Sequence, residues 1–272
     1  MLRQIVCIKQ VPGSSQVNVD PKTGVLIRES ADSKMNPYDL YALETAFQIR
    51  QQQGGKITVL SMGPEQAAHT LMEAIYMGAD DACLLSDRAF AGADVLATSY
   101  TLSQAIRLLP GFDLIICGKQ TTDGDTAQIG GELATWLDIP YIGPVSAIQK
   151  IVPEGPKPYL TARLPLENLI QTVKLQMPCL LTVEKDIYTP RLPSYRRKLR
   201  FSKDMIRVMT LHDLPDQDSS HYGLDGSPTQ VEKIYPPVHQ TQHQLHQGSA
   251  QQVTARFLQQ LETEKRLDHL RS

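Results

Sequence analysis

The sequence carries almost no excess of charge of either sign, and this excludes one broad class of partner. Its 272 residues include 27 Lys and Arg against 29 Asp and Glu, a formal net charge of -2 at pH 7. Nucleic-acid binding selects for strongly basic faces, so no nucleic-acid partner is expected. Apolar runs are also short, and none approaches the roughly 20 residues that a membrane-spanning helix needs. The first residues form a strand pattern interrupted by Lys9 rather than a signal peptide. We therefore expect a cytoplasmic protein without membrane insertion.

Familiar catalytic patterns are absent as well. There is no nucleophile elbow, and no His lies beside a plausible Ser or Cys. Four cysteines lie in apolar, strand-like runs without C-x-x-C spacing, which indicates buried reduced thiols: Cys7, Cys83, Cys117 and Cys179. Three histidines lie in a Gln-rich run that is typical of an extended polar linker rather than a metal site: His239, His243 and His246. We assign no catalytic residue and no metal ligand.

One polar, glycine-bearing loop stands out at residues 118–131, GKQTTDGDTAQIGG. It follows a β-branched apolar run at 113–117, typical of a buried strand, and precedes a helical pattern at 127–137. This order aims backbone N–H groups and the positive helix end at the carboxyl end of the strand, where open parallel sheets bind ligands. Thr126 or Asp125 is expected to cap the helix.

The loop predicts a phosphate-bearing ligand, but neither of two common motifs. Both G-x-G-x-x-G and G-x-x-x-x-G-K-[ST] are missing, so a dinucleotide Rossmann loop and a P-loop are not supported. Gly118 and Gly124 allow close approach of the backbone to a ligand. The alternative is an ordinary strand-to-helix turn, in which Asp123 and Asp125 would repel a phosphate.

Alternating strand and helix patterns predict the fold. Strands are expected at 3–9, 56–61, 82–85 and 113–117, and helices at 37–53, 64–77, 93–109 and 127–137. This alternation indicates a three-layer α/β sandwich with a mainly parallel sheet. A small hairpin is expected within residues 13–34. Prolines then break the pattern, and strands at 159–163, 169–175 and 179–184 are expected to extend the same sheet, largely antiparallel. Residues 212–248 are too polar to fold alone, and residues 253–267 form an amphipathic helix.

Several ordered blocks resemble one family. Besides the loop, these are VCIKQVP at 6–12, MNPYD at 35–39, ALE at 42–44, MGP at 62–64, the strand pair within 173–183 and PRLPSY at 190–195. Together they resemble the β subunit of electron transfer flavoproteins over roughly residues 1–237. The resemblance implies an adenine-nucleotide α-hydrolase-like fold. It also implies a nucleotide-binding domain at 1–187, a partner-docking loop at 188–200, and a C-terminal arm and helix at 201–272 that packs on the α subunit.

In the family these blocks contact a nucleotide. Carried over position by position, the resemblance implies a cofactor-binding set drawn from two strand ends, one helix start and the loop: Cys7, Lys9, Asn36, Pro37, Tyr38, Asp39, Met62, Gly118, Lys119, Gln120, Thr121, Thr122, Asp123, Gly124, Asp125, Thr126, Ala127, Gln128 and Ile129. By themselves, Asn36 is also expected to cap a helix and Pro37 to occupy its first position. Lys119 is either a cation beside the phosphates or a solvated loop lysine.

The resemblance implies two possible cofactors for this loop. It holds either FAD or a structural AMP, and a second FAD is shared with or held by the α subunit. Residues 123–128, DGDTAQ, resemble the electron-bifurcating pattern, in which NADH is the donor and the electron pair is divided between two acceptors. Gly124 and Ala127 leave room for a flavin. Thr121, Thr122 and Gly131 depart from that pattern. We expect FAD, with AMP as the alternative.

The implied partners are an α subunit in a heterodimer, a flavin-dependent dehydrogenase, and ferredoxin or flavodoxin as the low-potential acceptor. For the docking loop we predict Tyr195 as an exposed anchor, with Arg191, Arg196 and Arg197 as a steering rim. A basic run by itself is more often a solvated face. The alternative from another class is a nucleotide-binding regulator of the universal-stress type, but its G-x-x-G-x(9)-G-[ST] loop is missing.

Overall fold

A computed structural model of the chain describes residues 1–13, 33–155, 158–230 and 245–263. The hairpin expected within 13–34, and His239 and His243, lie outside the described residues. The chain divides into two compact units, Met1–Glu232 and Lys233–Ser272.

The described strands are β1 Leu2–Cys7, β2 Gln10–Pro12, β3 Ser33–Met35, β4 Gly55–Met62, β5 Asp81–Leu85, β6 Leu114–Gly118, β7 Tyr141–Val145, β8 Ala147–Val152, β9 Tyr159–Leu166, β10 Leu169–Gln176, β11 Cys179–Val183 and β12 Ile206–Met209. The described helices are α1 Pro37–Gln53, α2 Ala68–Met77, α3 Val95–Leu108, α4 Ile129–Leu137, α5 Tyr195–Leu199 and α6 Ala250–Thr263. A single 3-10 turn, Glu65–Ala67, precedes α2.

Seven strands form one parallel sheet in the order β12-β5-β4-β1-β6-β11-β7. Successive side chains of β1 point to opposite faces, so Val6 joins a core with α1 and α2, whereas Ile5 joins a second core with α3 and α4. Two apolar cores on the two faces of one sheet make a three-layer sandwich. The predicted fold class is confirmed.

The added strands are arranged differently from the prediction. β8, β9 and β10 pair antiparallel with one another as a separate three-stranded sheet and do not extend the main one. The segment at 179–183 is instead parallel, and lies between β6 and β7 inside the main sheet. All five residues of β11 are buried, as expected for an interior parallel strand. The sequence predicted largely antiparallel strands here, and for β11 this direction is corrected, because a continuous apolar run does not reveal the direction of its partner strands.

The first unit also extends further than the sequence indicated. β12 adds a parallel edge strand beside β5. Leu211, Leu214 and Tyr222 are buried, and the Tyr222 ring lies 5.6 Å from the ring of Phe90. These three apolar side chains join the core that contains α3 and α4, and this holds the otherwise polar segment against the first unit. The predicted start of the arm at residue 201 therefore lies inside the first unit.

Residues 227–229 are hydrogen-bonded to the start of α3. Ser227 Oγ accepts from the backbone N–H of Asp94, and Thr229 Oγ1 donates to the Asp94 carboxylate at 2.7 Å. In the second unit, α6 exposes about half of Phe257 and Leu258. That this helix packs on an α subunit stays a prediction.

Candidate functional site

The predicted site residues meet at the carboxyl edge of three adjacent central strands. β4, β1 and β6 are neighbours, and they end at Met62, Cys7 and Gly118. The start of α1 reaches the same edge through Asn36, whose backbone N–H donates to the carbonyl of Lys9 at 2.9 Å. Because parallel strands share the direction of their ends, four segments that are distant in sequence converge here.

Asp39 lies at the centre of this edge. Its side chain is buried and accepts from the backbone N–H of Lys9 at 2.7 Å and from Asn36 Nδ2 at 2.9 Å. Burial raises the pKa of Asp39 to about 7, although the bonds from Asn36 and Lys9 and the charge of Lys9 oppose the rise. A Cβ at Gly118 would lie 2.5 Å from Asp39 Oδ1 and 2.8 Å from the carbonyl carbon of Tyr38. Glycine is therefore required at 118, because the loop leaves β6 directly against this carboxyl group.

Asn36 holds the loop rather than capping its own helix. It is the N-cap residue of α1, but its side chain makes no capping hydrogen bond. Instead Nδ2 donates to the carbonyl of Gln120 at 2.9 Å, and Oδ1 accepts from the backbone N–H of Thr122 at 3.2 Å. The prediction that Asn36 caps the helix through its side chain is wrong, because bonds to the neighbouring loop take the amide instead. Pro37 occupies the first turn, as predicted.

The carboxylates of the loop are both engaged by other side chains. Lys9 Nζ donates to Asp123 Oδ2 at 2.6 Å, and Gln120 Nε2 donates to Asp125 Oδ1. Burial would raise the pKa of Asp123, but the hydrogen bond and charge of Lys9 outweigh it and lower the pKa. Lys119, the other cation expected near a phosphate, pairs with Glu184 at 2.9 Å. The repulsion expected between these aspartates and a phosphate is thus partly offset by Lys9.

The rest of the loop is exposed and runs into α4. Residues 122–128 are exposed, and Asp125 and Ala127 adopt left-handed backbone conformations with φ of 52° and 57°. α4 begins at Ile129 with Gln128 as its N-cap, and no side chain caps it. The predicted cap by Thr126 or Asp125 is wrong. Asp125 and Ala127 turn the chain before the helix begins, so the side chains of Asp125 and Thr126 lie too early in the sequence to act as the cap.

Gly124 and Gly130 have opposite surroundings. A Cβ on Gly124 would meet only Thr121 Oγ1, at 3.6 Å, which is ordinary contact. A Cβ on Gly130 would lie 2.4 Å from Thr182 Cγ2 of β11. Gly130 therefore allows α4 to pack closely on the sheet, whereas the space beside Gly124 is open.

The predicted docking segment is held firmly at both ends. Arg191 Nε and Nη2 donate to the two carboxylate oxygens of Glu44, and the guanidinium lies 4.5 Å from the centre of the Phe47 ring. Arg197 Nε and Nη2 donate to the carbonyls of Ile75 and Ala79 at the end of α2. Two of the three predicted rim arginines are thus bound by the protein itself.

Apolar side chains are exposed on the same segment. Tyr195 begins α5 with 74% of its surface exposed, and Leu199, one turn later, is 69% exposed. Leu192 is 86% exposed, and Arg196 is also exposed. We call Leu192, Tyr195 and Leu199 the α5 patch. Tyr195 does not pack back onto its own sheet.

Two important acidic residues were missed by the sequence reasoning. Glu44 is 147 positions from Arg191, and Glu184 is 65 positions from Lys119. Glu44 occurs in the ALE block that carries the family resemblance, but nothing in its spacing indicates a partner. Only the folded chain brings each pair together.

The described residues provide two further observations. No group of three His, Cys, Asp or Glu side chains among them is placed to hold a metal ion. None of the helices in the described ranges combines the length and apolar character needed to cross a membrane.

The fold and this edge define an α/β protein with an exposed loop at the carboxyl ends of its central strands. The model of the electron transfer flavoprotein domain matches residues 23–211. An electron transfer flavoprotein subunit beta of Thermoanaerobacterium thermosaccharolyticum is 42% identical over 258 residues, covering 94% of this chain and 96% of the relative. The chain belongs to the electron transfer flavoprotein family, as a β subunit.

Two other relatives have different names. Protein FixA of Azorhizobium caulinodans is 39% identical over 237 residues, covering 86% of this chain and 84% of the relative. A caffeyl-CoA reductase-Etf complex subunit, CarD, of Acetobacterium woodii is 40% identical over 237 residues, covering 87% and 88%. The family assignment gives the chain a role in electron transfer, an association with flavin or nucleotide, and an α subunit as partner. It decides against the stress-type regulator.

Proposed function

We propose that the chain is the β subunit of a bifurcating electron transfer flavoprotein, with FAD held over the loop at residues 118–129. NADH is the electron donor. The acceptors are a flavin-dependent dehydrogenase and a low-potential carrier such as ferredoxin or flavodoxin. A second FAD is shared with or held by the α subunit, and the heterodimer works in the cytoplasm.

The open space beside Gly124 is the observation that carries the FAD proposal. A side chain at this position would project into that space, since only Thr121 Oγ1 lies within 4 Å of an ideal Cβ. The residues at 122–128 are exposed and so accessible to a ligand larger than a mononucleotide. Gly118 allows the loop to leave β6 directly against Asp39 and Tyr38, at the edge where the ligand is proposed to lie.

The charges around the loop suit an anionic ligand held mainly by the backbone. Lys9 offsets Asp123, and Gln120 binds Asp125. Lys119 is paired with Glu184. The remaining favourable feature is the start of α4, where the helix dipole and the first backbone N–H groups stabilise a phosphate.

A flavin held there would accept a hydride from NADH and release single electrons to two acceptors of unequal potential. The chain's own part is to hold, orient and enclose. The buried Asp39 and Asn36 fix the loop. Cys7 and Met62 are the last residues of β1 and β4 at the same edge, and α4 presents its N-terminus.

The α5 patch is the proposed docking surface for the dehydrogenase. Its exposed Tyr195, beside Arg196, has the composition of an interface anchor with a basic neighbour. Arg191 and Arg197 hold the segment from within, which lowers the cost of ordering it on binding. The relative named as a subunit of a caffeyl-CoA reductase-Etf complex supports a partner of the reductase type.

The test is the cofactor content and NADH response of the co-purified heterodimer. Acid extraction and chromatography are expected to yield two FAD per heterodimer. A stoichiometric AMP peak with a single FAD would refute the FAD proposal. NADH is expected to bleach the flavin absorbance without any dehydrogenase present, and reduction only through a dehydrogenase would refute NADH as the donor.

A further inference from the structure

The side chain of Asn36 has no exposed surface and is hydrogen-bonded through both atoms of its amide. Both hydrogens of Nδ2 have acceptors, the Asp39 carboxylate and the carbonyl of Gln120, each at 2.9 Å. Oδ1 accepts from the backbone N–H of Thr122 at 3.2 Å. A buried amide with these three partners contacts the loop backbone and is not available to a ligand. This differs from the role that the family resemblance implied.

Asp39 links that amide to the rest of the strand edge. Its other oxygen accepts from the backbone N–H of Lys9, at the end of β1, and its first oxygen lies against Gly118, at the end of β6. The backbone of Asn36 is also bonded to Lys9, at 2.9 Å. One buried pair of side chains therefore connects β1, α1 and both ends of the segment 118–122.

We propose that Asn36 and Asp39 are positioning residues that set the backbone of residues 118–122 in its ligand-binding geometry without touching the ligand. The inference rests on the proposed function, since it concerns the same loop. Binding is strongest when the loop already has its bound conformation. The apparent affinity is proportional to the fraction of molecules in which the loop has that conformation.

A preset backbone has a property that separates it from a ligand contact. It supports any ligand that uses the same loop, so its loss weakens binding of AMP and FAD by a similar factor. A side chain that touched the flavin would affect FAD alone, and one that touched the AMP moiety common to both ligands would weaken both without changing the loop in the nucleotide-depleted heterodimer. The hydrogen bonds of Asn36 and Asp39 are also present before any ligand binds, so their effect on the loop can be measured in the nucleotide-depleted heterodimer.

The experiment compares Asn36→Asp with Asn168→Asp in heterodimers co-expressed with the α subunit. Both changes replace a side-chain amide by a carboxylate, but Asn168 is exposed in the turn between β9 and β10. At Asn36 the new carboxylate would face the Gln120 carbonyl and the Asp39 carboxyl group in place of a donor.

Two measurements are made on each variant. Hydrogen exchange at the Thr122 amide in the nucleotide-depleted heterodimer is expected to accelerate in Asn36→Ala, which removes the acceptor of that N–H, and to be unchanged in Asn168→Asp. The dissociation constants for AMP and for FAD are expected to rise together, roughly 10- to 100-fold, in Asn36→Asp alone. Asn36→Ala removes all three bonds without adding charge, and it replaces Asn36→Asp in the affinity measurements if that variant does not assemble.

Unchanged exchange at Thr122, or unchanged affinity for both nucleotides, would overturn the proposal. So would a loss confined to FAD, because that indicates direct contact. If the wild-type heterodimer contains AMP rather than FAD, the proposed cofactor is wrong. The positioning role of Asn36 and Asp39 is then still tested by the AMP measurements.

Discussion

Arg191 and Glu44 form a bidentate ion pair, in which Nε and Nη2 donate to the two carboxylate oxygens at 2.8 Å each. The Glu44 side chain is almost wholly buried, with 2% of its surface exposed, whereas the Arg191 side chain is 38% exposed. Burial would raise the pKa of Glu44, but the hydrogen bonds from Arg191 and Gln48 outweigh it and lower the pKa. The pair therefore fastens the docking segment to α1.

Removing Arg191 is expected to destabilise the protein because it leaves a buried, unpaired carboxylate. Losing one partner of a buried pair costs about 3–5 kcal/mol, and the partial exposure of Arg191 reduces this to roughly 2–3 kcal/mol. Urea unfolding of the heterodimer at fixed concentration measures the change for Arg191→Ala. Arg200→Ala, an exposed arginine on the same segment, is the control and is expected to lose less than about 0.5 kcal/mol. Equal stability of the two variants would contradict this.

Tyr195→Ala is expected to impair transfer to the dehydrogenase without affecting the fold. Its side chain is 74% exposed, so its loss removes little packing within the chain. Coupled electron transfer is expected to fall by roughly 10- to 1000-fold, as for the loss of an interface anchor. Flavin content and melting temperature should stay at wild-type values. Leu108→Ala, on α3 at the other face of the sheet, is the control. A drop in melting temperature that accounts for the lost coupling would argue against docking.

Gly124→Asp is expected to lose the flavin held in this subunit while the chain still folds. A Cβ is tolerated there, with 3.6 Å to Thr121 Oγ1, but the carboxylate would occupy the ligand's space and repel a diphosphate. Gly124→Ala is the matched control, since it adds the Cβ without the charge, and it should retain most of the flavin. The ratio of FAD to protein after desalting measures both. Full retention of FAD by Gly124→Asp would show that the ligand does not lie over this residue.

Asp39 is expected to give stability an unusual dependence on pH. Its pKa is raised to about 7 in the folded protein against 3.8 for the free side chain. The folded state therefore holds a proton that the unfolded state has lost between these values, so Asp39's contribution falls as pH rises towards 7. Paired carboxylates such as Glu44 behave in the opposite way, since their pKa is lowered.

Comparison with Asp39→Asn isolates this effect. The difference in unfolding free energy, wild type minus variant, is expected to fall by roughly 2–3 kcal/mol from pH 5 to about pH 7, and to be constant above that. Urea unfolding at a series of pH values measures it. A difference that rises with pH would show that the Asn36 and Lys9 hydrogen bonds outweigh the burial of the carboxyl group.

Much of the site was predictable because local patterns determine where strands end. The run at 113–117 predicted β6, and the polar residues after it predicted an exposed loop at the sheet edge. Their contacts were not predictable in the same way. Lys119 pairs with Glu184, which follows the end of β11 and lies 65 positions away, and no local pattern indicates that pair.

The sequence by itself determined the alternation of strands and helices up to α4, the three-layer class and the position of the exposed loop before α4, because hydrophobic periodicity, apolar runs and glycines act over a few residues. Only the tertiary structure decided that β11 lies parallel inside the sheet while β8–β10 form a sheet of their own. It also decided that Asn36 binds the loop rather than its helix, and that Arg191 and Arg197 are internal fasteners. These outcomes depend on which distant groups meet in a buried place. There the need to pair each donor, acceptor and charge outweighs local preference.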